Sequence, residues 1–297
     1  MSEKKKVALG SVVAAVFITI FKLIIGLMTM SLGIISEALH SALDMVAAII
    51  TYFSVRVSDR PADSEHNYGH GKVENLSALV ETILLLVTCV WIIYEAINRL
   101  TSGNVHIEVT YWSYIVVVTS IIIDFTRSRA LYRVAKKHNS QALEADALHF
   151  STDIWSSSVV LIGLIAYQFL GWKNADSIAA LFVAVIVLYV SYQLGKKAID
   201  VLLDKSPANT KEIVRNVLKE FPEALRYHHL KARTAGADTF IKFNVHFNPD
   251  LSLREVHEVC DKMEFKIKSK IPRSEVYIHA EPEDISHIDT EADEDIT

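Results

Sequence analysis

The octapeptide Glu37-Ala38-Leu39-His40-Ser41-Ala42-Leu43-Asp44 lies within apolar sequence and returns as Asp146-Ala147-Leu148-His149-Phe150-Ser151-Thr152-Asp153. Each copy reads acid, Ala, Leu, His, three variable residues, Asp. On a helix, His and Asp four residues apart share one face, one turn above the other. Two such helices brought together present two imidazoles and two carboxylates to one point, a tetrahedral donor set suited to zinc. An Asp at the centre of a membrane span costs about 2.5–3.5 kcal/mol on insertion scales, so Asp44 and Asp153 need compensation. A bound dication supplies it, and so would a buried His–Asp cluster that locks two helices together. Small residues beside the motif (Gly33, Ser36 and Ser41; Ala145, Thr152 and Ser156) leave room for an ion and water, which favours the metal. Glu37 and Asp146, three residues before each His, read as outer acceptors or cavity walls.

The surrounding chain is uneven. Of its 297 residues, the first two-thirds are dominated by long apolar runs, and the rest reads as soluble sequence ending in acid. A net charge of -5 gives no global attraction to nucleic acid. The two cysteines, Cys89 in an apolar run and Cys260 in a soluble helix pattern, argue against a disulfide framework or a CxxC metal site. Lys4-Lys5-Lys6 precedes an apolar run without a small-residue cleavage site, which reads as a first membrane span rather than a signal peptide.

Six segments reach the roughly 20 apolar residues that a span requires, near 7–29, 32–55, 77–99, 112–133, 144–168 and 177–198. Lys4, Lys5, Lys6, Arg56, Arg60, Lys72, Arg127, Arg129, Arg133, Lys136, Lys137, Lys196 and Lys197 fall on one side, and only Arg99 and Lys173 flank the other. The positive-inside rule then expects a multi-pass protein with both termini cytoplasmic, and the expected location is a bacterial cell membrane. Spans two and five run antiparallel, as in transporters that build a midplane site from inverted repeats. Common descent and chance similarity between two helices both account for the duplication. At 1.5 Å per residue, His40 lies roughly 12 Å below the outer end of span two, and His149 roughly 28 Å below that of span five. The pairs meet only if the helices are offset, tilted or longer than drawn.

The loop after span two, Arg60 to Lys72, carries Asp63, His66 and His70, three potential ligands in either an ion-binding loop or a solvated turn. After span six, a helix pattern near 209–221 precedes strand patterns near 226–234 and 239–247. A helix over 252–270 follows, with Ser252 as cap and Glu255 three residues on, and a third strand over 274–281. The order α-β-β-α-β suits a small layered α+β domain. The expected organisation is a membrane domain 1–205, a cytoplasmic domain 206–283 and an acidic, disordered tail 284–297. Candidate ligands in the soluble part are His228, His229, His246, His257 and His279, with Asp238, Asp261 and Glu281. His246 and Asn244 share one strand face, as do His279 and Glu281 on another. Such residues fit a binuclear site or a set of surface histidines. Asp124 reads as neutralised by Arg127 one turn on, and Glu81 as facing the bundle interior without an assigned role.

The motifs His40-x-x-x-Asp44 and His149-x-x-x-Asp153 combine with the loop Pro61-Ala62-Asp63…His66…Gly69-His70-Gly71-Lys72, with Leu202-Leu203-Asp204 and with the run Asp250–His257. On these, along nearly its whole length, the chain resembles the cation diffusion facilitators, dimeric exporters of zinc-type cations. The resemblance implies six transmembrane helices and a cytoplasmic domain of ferredoxin or metallochaperone type. It implies a transport site of His40, Asp44, His149 and Asp153; some members carry Asp in place of His40, and a His/Asp pair is that of many zinc-selective members. It implies a loop site at Asp63, His66 and His70, and a cytoplasmic cluster at His228, His257, His279 and Glu281. Where a strand histidine is common, this chain has Asn244, with His246 two residues on. A charge lock would fall on Lys72 and Asp204, joining spans three and six of a homodimer. The expectation is a Zn²⁺/H⁺ antiporter working by alternating access, with zinc both transported and regulatory, and not an enzyme. Cadmium, cobalt or ferrous iron would also fit the donors, and manganese less well. An intramembrane zinc metallohydrolase lacks an HExxH and would need an open coordination position. A non-transporting metal sensor or scaffold would associate through residues 206–283 without flux.

Overall fold

A computed structural model of the chain describes residues 2–30, 32–102, 111–170, 175–283 and 294–295. The chain forms two compact units, Met1–Ile199 and Asp200–Thr297. The first is built from α1 (Glu3–Thr29), α2 (Leu32–Ser58), α3 (Lys72–Ser102), α4 (Tyr111–His138), α5 (Gln141–Leu170) and α6 (Ala175–Leu202), the last of which runs on into the second unit. Each helix outruns the apolar stretch that marks it, because charged and polar residues at its ends continue the helix past the hydrocarbon thickness. On length and composition, α1, α2, α3 and α6 are apolar enough to cross a membrane. The other two, α4 and α5, carry Asp124, Arg127 and Arg129 and Asp146, His149 and Asp153 in their interiors.

Packing within this unit relies on small residues. Ala8 and Ala15 of α1, Ala48 of α2, Ala135 of α4 and Ala142 and Ala147 of α5 are buried around Leu131, Leu143 and Phe150. Without water to drive association in lipid, close backbone approach at such residues supplies the packing energy. Gly26 is one such point, since a Cβ there would lie 2.9 Å from Ile35 Cγ1. Leu85 and Cys89 of α3 pack on Val183, Ala184 and Val187 of α6, with the Cys89 thiol donating to the Ala184 carbonyl at 3.3 Å. The outer face of α1 turns Phe17, Ile20, Ile24, Leu27 and Met28 outward, each more than half exposed. In water such a surface would be an aggregation liability; against hydrocarbon it is ordinary.

One end of the bundle is tied by ion pairs. Lys4, near the start of α1, is buried between Asp59 (2.6 Å) and Glu74 (2.9 Å). Ser58 donates to Glu74 at 2.8 Å, Ser140 donates to its other oxygen, and Ser2 donates to Asp59 at 3.1 Å. Lys197 and Lys136 reach Glu144 at 2.5 and 2.8 Å. This end therefore joins all six helices.

The second unit contains α7 (Thr210–Leu218), β1 (Ala224–Ala235), β2 (Asp238–Phe247), α8 (Leu253–Lys270), β3 (Ser274–Pro282) and β4 (Glu294–Asp295), with sheet order β3-β2-β1-β4. Hairpin-linked β1 and β2 are antiparallel around Gly236 (φ 61°), and the α8 crossover makes β2 and β3 parallel. Val217, Phe243, Phe247, Met263 and Ile267 fill its core. Ser252 and Glu255 cap α8 reciprocally. The acidic tail lies mostly outside the described residues. Its Glu294–Asp295 pairs with Tyr227 and Arg226, because the free edge of β1 offers unpaired backbone groups.

Candidate metal sites

The duplicated motifs converge. His149 Nε2 lies 3.1 Å from Asp44 Oδ1 and 3.7 Å from Asp153 Oδ2. His40 Nε2 lies 4.0 Å from Asp44 Oδ1 and 4.0 Å from Asp153 Oδ1. One ligand atom from each of Asp44, His149 and Asp153 falls within 4.8 Å of the others, with His40 alongside. The pairing is crossed, since antiparallel helices set each His level with the other helix's Asp. The depth mismatch is resolved by stagger: α2 begins about 12 Å before His40, whereas α5 continues roughly 25 Å beyond Asp153. A cavity of about 350 Å³ borders His40, Asp44 and Asp153, and reaches Glu95 near the end of α3 and Ser177 near the start of α6.

Charges ring this point. Lys22 pairs with Glu37 at 3.2 Å, and Arg127 with Asp124 at 3.2 Å, as the spacing of the latter two predicts. Arg127 also stacks on Phe150 (3.6 Å) and donates to Ser11 (3.1 Å), which donates on to Asp146 (3.2 Å). Lys22 and Ser11 were not singled out by the motif. A lysine within an apolar run is itself a functional signal that could have found the first; the second has none. Asp146 and Glu81 are sealed from solvent, and the packing around Gly33 and the Ser36 side chain lie outside the described residues.

In the loop after α2, His66 Nδ1 is 3.2 Å and His70 Nε2 3.5 Å from the Asp63 carboxylate, and the two rings lie 4.4 Å apart. Asp63 accepts the backbone N–H groups of His66 (2.6 Å) and Glu65 (3.0 Å). The His66 amide first, then that of Glu65, holds its carboxyl below the ordinary range. Gly69 (φ 73°) takes a left-handed conformation that brings His70 back over Asp63. The site is open to solvent.

In the sheet, a β-bulge after His228, with His229 at φ 54°, re-aims β1. His228 Nδ1 then lies 3.1 Å from His246 Nε2, and both rings approach Glu281 Oε2, at 3.5 and 3.6 Å. Asn244 donates to the other Glu281 oxygen at 2.7 Å. His279, largely exposed, lies 3.4 Å from Glu281. His257 stands on α8 beside Asp261 at 3.6 Å, apart from this group. Ligand atoms of His228, His246 and Glu281 lie within 4.8 Å of one another, close enough to hold an ion. Register explains this: β2 and β3 pair His246 with Glu281 and Asn244 with His279.

Residues 8–203 match the cation efflux transmembrane domain, and residues 207–283 the cytoplasmic domain of cation efflux proteins. The chain is 30% identical over 274 residues to the cation-efflux pump FieF of Shewanella oneidensis, covering 92% of each. It is 32% identical over 256 residues to an uncharacterised transporter of Synechocystis, covering 86% of this chain and 82% of that one. Among solved structures, the metal-bound C-terminal domain of the Thermotoga maritima CzcD transporter is 23% identical, covering 27% of this chain and 93% of that one, with a TM-score of 0.26. The chain belongs to the cation efflux, or cation diffusion facilitator, family. It is a membrane transporter of divalent metal cations and not an enzyme.

Proposed function

We propose that the chain exports zinc in exchange for protons by alternating access. The observation that carries this reading is the convergence of two imidazoles and two carboxylates between α2 and α5, beside a cavity. Two nitrogen and two oxygen donors suit zinc better than manganese or calcium. Zinc needs neutral imidazole and ionised carboxylate, so cation and proton compete for the same atoms and exchange follows from the donor set. Loop charges favour cytoplasmic termini, and the likeness to bacterial cation-efflux pumps supports a bacterial cell membrane. With that orientation, the ion-paired end of the bundle is the cytoplasmic one and the cavity faces outward, a form suited to release. The domain scheme 1–205, 206–283 and 284–297 follows the exit of the chain from α6.

The loop trio and the His228–His246–Glu281 trio would hold regulatory zinc, with His257 and His279 as further ligands when a second copy or an ion draws them in. The protein would act as a homodimer through the cytoplasmic domain, a reading supported by the family of residues 207–283. Lys72, which opens α3, and Asp204, just past α6 at φ 58°, would join helices three and six of opposite protomers. Within its own unit Asp204 lies 3.4 Å from Arg233, a contact the lock would have to exchange. The test is uptake of zinc, cadmium, cobalt, iron and manganese by reconstituted protein with and without a pH gradient. Preferential zinc uptake that collapses with the gradient is expected; uptake indifferent to the gradient would refute exchange.

A further inference from the structure

Glu81 is a carboxyl that the transport site does not use. It sits on α3, facing α2 and α5, with no solvent exposure. Thr51 of α2 and Ser77 of α3 both donate to its Oε1, the latter at 3.3 Å, while Oε2 is buried without a partner. No lysine or arginine lies within ion-pair distance of it among the described residues. Among the described residues, the charged groups that act on it most belong to α5, namely Asp146 and His149, and α2 contributes the Thr51 hydroxyl. Asp146 is equally sealed; among the described residues its one hydrogen bond comes from Ser11, which links it to Arg127, and its own Oδ1 is unpartnered. Two carboxyl groups thus share a dry layer beside the transport site, on the side toward the ion-paired end. A carboxylate buried without a cation carries a large desolvation cost, and a second one nearby adds repulsion. Nothing in the packing requires an acid here, since a neutral amide would accept the same two hydroxyl hydrogen bonds.

We propose that Glu81 is a proton-carrying residue of the exchange, holding one proton while the transport site lacks its cation and releasing it when the cation binds. This rests on the zinc–proton reading above. The step balances in charge. A dication entering between α2 and α5 raises the local potential, the O–H bond of the Glu81 acid breaks, and its proton leaves toward the side from which the cation came. The departing proton carries off one of the two positive charges that the cation brings, so the bundle gains one net charge instead of two. When the cation departs, the carboxylate takes a proton from the opposite side. Among the described residues Glu81 makes no ion pair or hydrogen bond with a candidate ligand, so it would set how cation binding depends on pH rather than coordinate the cation.

The experiment uses full-length protein in vesicles containing a pH indicator, comparing the wild type, Glu81→Gln and Glu81→Asp. Zinc counterflow, zinc-driven proton movement and zinc affinity are measured across a range of pH. For Glu81→Gln, counterflow should persist, while the proton-to-zinc ratio falls by one and the pH dependence of zinc affinity and of uptake flattens; Glu81→Asp should restore both. A wild-type ratio and profile in Glu81→Gln would overturn the proposal. If that variant does not fold, infrared difference spectra of the wild type and Glu81→Asp decide. A protonated-carboxyl band that vanishes on zinc addition and shifts in Glu81→Asp supports the proposal, and its absence overturns it. If the wild type itself moves zinc without protons, the exchange reading fails; coupled wild type with equally coupled Glu81→Gln sinks only the role of Glu81.

Discussion

Replacing Asp44 with Ala should cost the transport site most of its affinity, and the size follows from charge. A dication held by Asp44, Asp153 and two neutral imidazoles is formally neutral. Without Asp44, one uncompensated positive charge remains at a point where His149 is 3% exposed. A charge at the centre of a span costs about 2.5–3.5 kcal/mol, which corresponds to zinc binding weaker by roughly 60- to 300-fold. The true loss should lie toward the upper end, because His149 also loses its 3.1 Å partner and its buried ring is left unpaired. The measurement is zinc titration of full-length protein in a background carrying His66→Ala and His228→Ala, so that neither the loop nor the sheet contributes heat. Proteoliposome uptake with the same variants supplies the functional arm. Asp44→Ala binding zinc as tightly as its parent and transporting it normally would refute the four-ligand site.

Three further outcomes follow from other parts of the molecule. Lys4→Met leaves the buried Glu74 carboxylate without its cation, beside the solvent-facing Asp59, and thermal unfolding should show a loss of about 3–5 kcal/mol, the cost of removing one partner of a buried pair; a variant as stable as the wild type would show that the hydroxyls alone suffice. Ser252→Ala removes the α8 cap and should cost about 0.5–2 kcal/mol by denaturant titration. The Ser252 hydroxyl holds the Glu255 carboxyl below its ordinary range, so the cap's carboxylate half is intact above that range and lost as pH falls through the lowered value; the Ser252→Ala penalty should shrink only in acid. His246→Ala should reduce the zinc bound per chain by one while leaving uptake at saturating zinc intact, as equilibrium dialysis and vesicle flux would record; unchanged stoichiometry would remove the sheet site.

Much of this was legible in one dimension because membrane chemistry leaves few choices. Aspartates 44 and 153 in apolar runs demanded compensation, and four-residue spacing fixed which imidazoles would supply it. The α-β-β-α-β order was readable because alternation and the Ser252/Glu255 box act locally. What escaped the sequence depends on distances between elements. The stagger of α2 against α5 is set by packing at alanines along α1, α4 and α5, which leaves no mark on either motif. Burial of Lys4 was invisible for a related reason: a lysine before an apolar run reads as an interfacial charge until Asp59 and Glu74, from two other helix ends, close over it. In the sheet, the parallel register of β2 and β3 sets His246 beside Glu281 and the bulge after His228 turns that ring onto them; neither a cross-strand register nor one unpaired residue in a strand is encoded by alternation.

The unequal exposure of the two histidines gives departure of the ion an order. His40 is 37% exposed at the cavity wall, whereas His149 is nearly sealed. Coordination to a four-ligand ion is lost donor by donor, and solvent can replace only the donor it reaches. Of the donors that border the cavity, His40 is the most exposed, so in the proposed site it would be the first to give way to water. Substitutions at position 40 should therefore change how fast the ion leaves toward the cavity, and substitutions at position 149 how firmly the partly hydrated ion is held back. Two residues that look interchangeable in the repeated octapeptide would then govern different steps of one journey.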